Sequence, residues 1–367
     1  MLSTTFDKPV HETTVAVAMS GGVDSSTVAA LLCEAGYKVV GITLQLYDAG
    51  MIAGKKGACC AGIDVYDAKM VANRIGIPHY VLDYESKFKS AVIDDFIETY
   101  LQGETPTPCI RCNQSVKFKD LLQVAKGLKA DCLATGHYVS KVKCQSGFEM
   151  HKAKDHNKDQ SYFLFATTKE QLEYLEFPLG NFDKSETRRH ALRLGLEIAD
   201  KPDSQDICFV NGSYASVIEK IRPNSLVPGV IMHVDGYKLG QHKGVIGYTI
   251  GQRRGIGLAS GEPLYVIKID SINNILYVGP EHHLYKSKFR LKDVNFLSID
   301  EDFEDSINVQ VKIRSAASPV RAQLFKSNTK GEIFVELLSL EKSITPGQAC
   351  VFYDDHRLLG GGWISKL

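Results

Sequence analysis

Apolar positions through the first half of the chain alternate between two periods. Short apolar runs at Thr14 to Met19, Tyr37 to Leu46, His79 to Asp83 and Asp131 to Thr135 read as strands. Between them the spacing is helical: Val28, Leu31 and Leu32 share one side of Ser25 to Glu34. A second helix, Val65 to Ile75, is ended by Gly76 and Pro78, and a long amphipathic one, Phe88 to Leu101, carries Val92, Ile93, Phe96, Ile97 and Tyr100 on its apolar side. Phe118 to Leu128 is a further helix. Strands separated by helices predict an α/β fold, a parallel sheet with helices on both faces and ligands at the carboxyl ends of its strands.

After about Ser204 the pattern becomes glycine-dense and β-rich. Short strands are expected at Val230 to His233, Val245 to Ile250, Leu264 to Ile269 and Ile275 to Val278. A second run covers Val309 to Ile313, Val320 to Phe325, Ile333 to Leu338, Ala349 to Tyr353 and Leu358 to Ile364. These predict a small β-rich central domain over 213–284 and a C-terminal β-barrel of about six strands over 285–367, behind an α/β domain over 1–212.

At 367 residues the chain is long enough for two or three domains. Its 43 basic and 43 acidic side chains cancel, so a nucleic-acid ligand has to meet a local basic face rather than a globally positive surface. Met1 to Thr13 carries Asp7 and Glu12 and has no apolar core of a secretion signal, and no apolar run reaches the roughly 20 residues that span a bilayer. A cytoplasmic location away from membranes is expected. In a reducing compartment nine cysteines point to catalysis or metal binding more than to a disulfide framework.

The strongest motif is Ala18-Met19-Ser20-Gly21-Gly22-Val23-Asp24-Ser25-Ser26, directly after the first strand and opening the first helix. Gly21 and Gly22 admit close approach of a phosphate, the helix N-terminus aims free N–H groups at it, and Ser20 and Ser25 add hydroxyl donors. No Gly-Lys-Ser/Thr follows, so this is not a Walker loop. The pattern resembles the PP-loop pyrophosphatases, which split ATP between the α and β phosphates and adenylate a carbonyl oxygen. The bland alternative is a glycine turn with Asp24 as a first-turn carboxylate. The resemblance places nucleoside contacts at Leu44 and Gly136.

Two cysteines stand at C-x-x-C spacing in Thr105-Pro106-Thr107-Pro108-Cys109-Ile110-Arg111-Cys112-Asn113, a proline-stiffened loop before a helix. Such a pair can share a metal, form a disulfide or carry one low-pKa thiolate, which Arg111 and the helix N-terminus would favour. Cys208, in Asp203-Ser204-Gln205-Asp206-Ile207-Cys208-Phe209, is either a further reactive thiol or a small buried hydrophobe. Cys33 and Cys132 sit in core-like patterns, Cys144 and Cys350 look less functional, and Cys59 and Cys60 lie in a glycine-rich loop near the predicted site.

With these motifs go Ala134-Thr135-Gly136-His137-Tyr138, Lys158-Asp159-Gln160-Ser161-Tyr162-Phe163, Tyr248-Thr249-Ile250-Gly251-Gln252-Arg253 and Thr345-Pro346-Gly347-Gln348. Their order and spacing resemble the tRNA-specific 2-thiouridylases along essentially the whole chain. The resemblance implies an N-terminal PP-loop domain, a small central domain and a C-terminal β-barrel. It implies ATP with Mg2+ as cofactor, tRNA as substrate, and a sulfur-donor protein (a cysteine desulfurase or a relay protein) as partner. Cys112 matches the nucleophile and Cys208 the persulfide carrier; Asp24 joins them in the catalytic set. Residues Ala18 through Ser25, with Val23 among them, match the ATP loop. Thr107, Pro108, Cys109, His137, Lys158, Asp159, Gln160, Arg314, Ser315 and Gln348 match tRNA-contacting positions. Some relatives have Asn at Thr107 and Asp at Cys109; with Cys109 present, Cys109, Cys112 and Cys208 can instead be read as ligands of an iron–sulfur cluster. No metal site is assigned otherwise.

Taken singly, several of these residues have plain structural readings. His137 alone reads as a hydrogen-bonded structural histidine, Lys158 to Gln160 as a solvated loop, and Arg253-Arg254 as either a phosphate patch or a turn. Two other function classes compete: a PP-loop ligase or amidotransferase for a small metabolite, and a non-enzymatic metal- or RNA-binding protein. The first leaves the cysteines without work and the second leaves the phosphate loop without any.

Overall fold

The computed structural model describes residues 5, 8–47, 60–204, 206–210, 212–299, 302–327, 329 and 331–366. The chain forms two compact units: Met1–Ala91 with Cys109–Phe209 and Asp355–Leu359, and Val92–Pro108 with Val210–Asp354 and Gly360–Leu367.

The first unit is built on β1 (Thr14–Ala18), β2 (Lys38–Gln45), β3 (His79–Asp83) and β4 (Cys132–Thr135), followed by the hairpin β5 (Val139–Cys144) and β6 (Gly147–Lys152) and the short β7 (Leu175–Glu176). The sheet order is β3-β2-β1-β4-β7, all parallel. Val15 and Val17 of β1 are fully buried, as expected of a parallel strand covered on both faces. Helix α1 (Val23–Glu34) and helix α2 (Cys60–Ile75) contribute Val28, Leu31, Leu32, Ala68, Val71 and Ala72 to the same core. Strand order reverses about β1, with β2 on one side and β4 on the other. The crevice at their carboxyl ends is therefore the place where such a sheet binds ligand.

Two expected helices are interrupted. Phe88 to Leu101 is resolved into Glu85–Phe88, a π-helical stretch Lys89–Ile93 and Asp94–Leu101. The helix expected from Phe118 starts earlier, at Pro108–Arg111, runs as a π-helix over Cys112–Leu121 and finishes as Leu122–Gly127. Apolar spacing does not distinguish these turns, whereas π-helical segments are rare and concentrate at functional sites. The β5–β6 hairpin was not expected in this half. Lys141 breaks its apolar pattern, yet Lys141 is only 5% exposed. Its ammonium is satisfied by Glu176 and by the carbonyls of Glu173 and Leu175, each at 2.9 Å. A buried lysine with three acceptors is stable inside but reads as polar from the sequence.

The second unit holds a four-stranded sheet and a barrel. The sheet joins β8 (Gly229–His233), β9 (Lys238–His242), β10 (Tyr265–Asp270) and β11 (Ile275–Gly279) in the order β10-β11-β8-β9 over a core of Ile231, Val266, Leu276 and Val278. The strand expected over Val245 to Ile250 is instead a 3-10 turn, Val245–Gly247. Val245, Ile246 and Tyr248 are buried there without pairing, so the apolar run marks the core and not a ladder. The barrel has six antiparallel strands, β12 (Tyr285–Phe296), β13 (Ser306–Lys312), β14 (Val320–Lys326), β15 (Ile333–Lys342), β16 (Ala349–Asp354) and β17 (Arg357–Ile364). Their order is β12-β15-β14-β13-β16-β17, closed by β12 against β17 with Leu291 opposite Ile364. Closure removes the free edges a flat sheet would expose. Among the described residues no helix is long and apolar enough to cross a membrane.

Candidate active site

The phosphate loop follows β1 and enters α1. Gly21 has φ +74°, and a Cβ there would stand 2.1 Å from the Asp64 carbonyl oxygen, so only glycine fits. The loop is wired internally: Ser20 N–H donates to Ser25 Oγ at 3.1 Å, and the two serine hydroxyls lie 3.2 Å apart. Thr43 of β2 donates to the Met19 carbonyl at 2.8 Å and meets His79 Nε2 at 2.7 Å. Gly136, just past β4, comes so close to α1 that a Cβ would lie 2.7 Å from Ser25 N. Ser26 Oγ is buried with no partner among the described residues. A preformed, glycine-lined helix N-terminus with hydroxyls suits a phosphate group. Leu44 lies near the carboxyl end of β2 beside this loop, in register with Leu82.

A chain of charges starts at this loop. Asp24 in the first turn of α1 receives Lys184 Nζ at 2.7 and 2.8 Å and the Tyr138 hydroxyl at 2.9 Å. Tyr138 has one proton and a carboxylate can only accept, so Thr187, 2.9 Å away, supplies its own proton to the tyrosine oxygen. Burial and the Asp24 charge both push the Tyr138 phenol up, keeping it protonated. The same Lys184 ammonium lies 2.7 Å from Asp203 Oδ1. Asp203 also takes Lys158 at 2.7 Å and Arg188 at 3.1 Å. Burial pushes the Asp203 carboxyl up, but Lys158 and Lys184 outweigh it and bring it down to about 2. Lys201 binds the Gly21 carbonyl at 3.0 Å together with Asp64 and Asp67 at 2.7 and 2.6 Å.

Asp203 precedes Cys208 by five residues. The far end of this short arm is held by aromatic contacts. The Tyr47 hydroxyl donates to the Cys208 carbonyl at 2.7 Å, and Phe88 lies edge-on to Phe209 at 5.8 Å and near Tyr47 at 6.1 Å. Cys112, Cys109 and Cys208 are all free thiols, and each of the first two raises the thiol of the third, which places them in one neighbourhood. Burial raises Cys112, with Cys109 adding to it, and it raises Cys109 and Cys208 as well. Cys112 is 8% exposed, whereas Cys109 and Cys208 keep exposed surface.

The expected low-pKa thiolate favoured by Arg111 is not seen at either cysteine of the pair. Arg111 Nη1 is directed to Gln114 at 3.2 Å, and the cation that pulls all three thiols down is Lys117. Lys117 follows Cys112 by five residues, and the i→i+5 ring of the π-helix brings it back toward the cysteine where an α-helix would turn it away. Burial also drives His137 well below its ordinary value, with Lys117 adding to the effect, so its imidazole is neutral. His137 Nδ1 meets Thr135 Oγ1 at 2.9 Å.

The residues expected to face tRNA divide. Asp159 accepts from Ala153 N–H, Ser161 N–H and the Ser161 hydroxyl, and Gln160 Oε1 accepts from Tyr138 N–H at 2.9 Å. These acceptor oxygens close a turn, and Lys158 is engaged with Asp203. In the second unit Gln348 donates its amide to the Thr105 carbonyl at 3.1 Å, while Thr107 Oγ1 is buried without a partner among the described residues. Pro108 opens the helix that leads into Cys112, and exposed Arg314 and Ser315 sit in the turn between β13 and β14, with Arg314 donating to the Lys342 carbonyl at 2.7 Å.

Cys132 and Cys350 are core residues, Cys33 donates to the Ile75 carbonyl, and Cys144 lies by Ser146. Cys59 lies outside the described residues, and Cys60 is the first residue of α2. Among the described residues no group of three or more His, Cys, Asp or Glu is arranged to hold a single metal ion.

Residues 13–212 match the family profile described as tRNA methyl transferase HUP domain, 215–280 the tRNA methyl transferase PRC-barrel domain, and 286–364 the aminomethyltransferase beta-barrel domain. The chain is 61% identical over 356 residues to the tRNA-specific 2-thiouridylase MnmA of Rickettsia massiliae (strain Mtu5), covering 97% of each chain. It is 60% identical over 358 residues to the protein of the same name from Rickettsia bellii (strain OSU 85-389), again covering 97% of each. The first profile alone spans more than half the sequence and the identity runs nearly its whole length, so the chain belongs to the tRNA-specific 2-thiouridylase MnmA family.

Proposed function

We propose that this protein uses ATP to replace the 2-oxygen of the wobble uridine of tRNA with sulfur. A urea-like carbonyl oxygen is a very poor leaving group. Transfer of AMP from ATP to that oxygen, with release of pyrophosphate, makes it a good one. A persulfide on Cys208, charged by a sulfur-donor protein, then bonds through its terminal sulfur to C2, and AMP departs with the oxygen. The Cys112 thiolate attacks Cys208 Sγ; the S–S bond breaks, its electron pair stays with the sulfur on uridine, and a Cys112–Cys208 disulfide forms. An external dithiol reduces that disulfide for the next turnover.

The observation that carries this reading is the gathering of Cys112 and Cys208 in the unit that holds the phosphate loop, although 96 residues separate them in sequence (208 − 112). Methyl transfer, which two of the matching domain descriptions mention, gives neither cysteine a task. Ala18 to Ser25, Leu44 and Gly136 take the nucleotide, with Mg2+ arriving on ATP. Thr107, Pro108, Cys109, His137, Lys158, Asp159, Gln160, Arg314, Ser315 and Gln348 take the tRNA.

The test is anaerobic thiolation of unmodified tRNA with ATP and a sulfur donor, recording AMP, thiouridine and bound iron. Activity without iron that survives Cys109→Ser and is lost in Cys112→Ser and Cys208→Ser is the expected result. Wild-type protein that makes no thiouridine overturns the proposal.

A further inference from the structure

The peptide that joins Gly21 to Gly22 is the part of the phosphate loop that its serines do not hold. Ser20 N–H goes to Ser25 Oγ, and Ser26 N–H goes to the Gly22 carbonyl at 3.3 Å, one peptide further on. With glycine on both sides, no Cβ resists rotation of this peptide. Its carbonyl is gripped from outside the loop instead. Lys201 Nζ donates to the Gly21 oxygen at 3.0 Å, and its other two N–H groups go to Asp64 at 2.7 Å and Asp67 at 2.6 Å, both on α2. Burial lowers the Lys201 ammonium, but its hydrogen bonds to the two carboxylates outweigh burial and keep it charged. The lysine backbone is itself fixed, since Arg188 donates to the Lys201 carbonyl at 3.0 Å and to the Ala199 carbonyl at 2.6 Å.

A trans peptide is planar, with its N–H opposed to its C=O. Turning the Gly21 carbonyl toward Lys201 and its acidic partners therefore turns the Gly22 N–H away from them. That N–H has no acceptor among the described residues, and Gly22 is the N-cap of α1, whose first-turn donors are open to an anion. A half-turn of this peptide would replace the donor by a carbonyl oxygen, which repels phosphate. We infer that Lys201 is a positioning residue for the nucleotide: its grip on the Gly21 carbonyl aims the Gly22 N–H at the phosphates of ATP. This inference rests on the proposed use of ATP at the loop, and no step of sulfur transfer enters it.

Charge alone argues the opposite way, which makes the two effects separable. Asp64, Asp67 and Lys201 together carry one negative charge in excess. Asp64→Asn, Asp67→Asn and Lys201→Met combined bring that sum to zero, so a purely Coulombic cluster would bind ATP more tightly in the triple variant. Loss of the grip predicts weaker binding. The experiment is titration calorimetry of Mg-ATP into the full chain, which returns the affinity and the binding-competent fraction separately. The triple variant is expected to bind ATP about tenfold more weakly at unchanged stoichiometry. The difference is expected to persist in about 1 M salt, where the screening length is about 3 Å. A protein that merely folds poorly loses stoichiometry and keeps its affinity. The double variant Asp64→Asn/Asp67→Asn, which retains Lys201, is expected to bind at least as tightly as wild type. Wild-type affinity or better in the triple variant overturns the inference; so, by itself, does weaker binding in the double variant. Wild-type protein that binds no Mg-ATP removes the proposed function together with the inference, whereas ATP binding indifferent to Lys201 removes the inference alone.

Discussion

The phosphate loop and the cysteine pocket lie in one unit but are prepared to different degrees. At the loop, Ser20, Ser25 and Thr43 close the backbone into a fixed cradle, and Gly21 and Gly136 leave no room for any side chain. Around Cys109, Cys112 and Cys208 the three thiols are free, each raised by burial, with Lys117 opposing that rise at all three. A neutral thiol is a weak nucleophile. The difference is one of preparation: the loop is fixed by its own hydrogen bonds, whereas burial keeps the three thiols toward their protonated form.

The sharpest way to break this comparison is to remove sulfur chemistry while keeping the cradle. Cys112→Ser or Cys208→Ser is expected to lower tRNA thiolation by on the order of 10³-fold or more, while ATP binding measured by calorimetry is unchanged. Damage to the cradle comes next. In Gly136→Ala the new Cβ would push on Ser25 N, 2.7 Å away, and the displaced helix terminus is expected to slow tRNA-dependent AMP release by on the order of 10²-fold. Gly21→Ala adds a backbone cost of about 1–3 kcal/mol at φ +74° before its clash with Asp64, visible as a lower unfolding midpoint.

The charge chain between the two halves gives a pH test. The folded Asp203 carboxyl is held down at about 2, below its ordinary 3.8, so its ion pairs stabilise the fold above the ordinary value and are lost as pH falls through about 2. Asp203→Asn is expected to cost on the order of 2 kcal/mol at neutral pH, and the gap to wild type should close between about pH 4 and pH 2. A gap independent of pH over that range would show that Asp203 acts through packing. The smallest effect concerns Lys117. Lys117→Met removes the cation that opposes burial, so alkylation of Cys112 at fixed pH is expected to slow by about two- to tenfold. A rate equal to wild type would leave burial alone in control of this thiol.

Parts of the site were legible because they depend on local sequence. A strand, two glycines, an acidic first turn and serine hydroxyls are contiguous from Ala18 to Ser26, and the structure turns them into the cradle the pattern implies. Other parts were not legible. Lys184 meets Asp24 across 160 positions, and no spacing rule reports such a pair. Lys117 drew no notice in the sequence, and it acts on Cys112 where the helix is wound with a wider turn. Gln160 and Asp159 read as groups free to meet RNA, and the fold uses both to close a turn against Tyr138 and Ser161. Lys141 hid a strand because its burial depends on Glu176 arriving from elsewhere.

By itself, then, the sequence determined the alternation of strands and helices through β4, the phosphate loop, the β-rich second half and the set of cysteines worth testing. Each of these follows from residues close together, through dihedral preference, apolar period or motif spacing. Tertiary structure decided which side chains share charges: that Asp24 and Asp203 hold one lysine between them, and that Cys109, Cys112 and Cys208 answer to Lys117 and not Arg111. Electrostatic partners and desolvation depend on distance and burial in space, and chain position encodes neither.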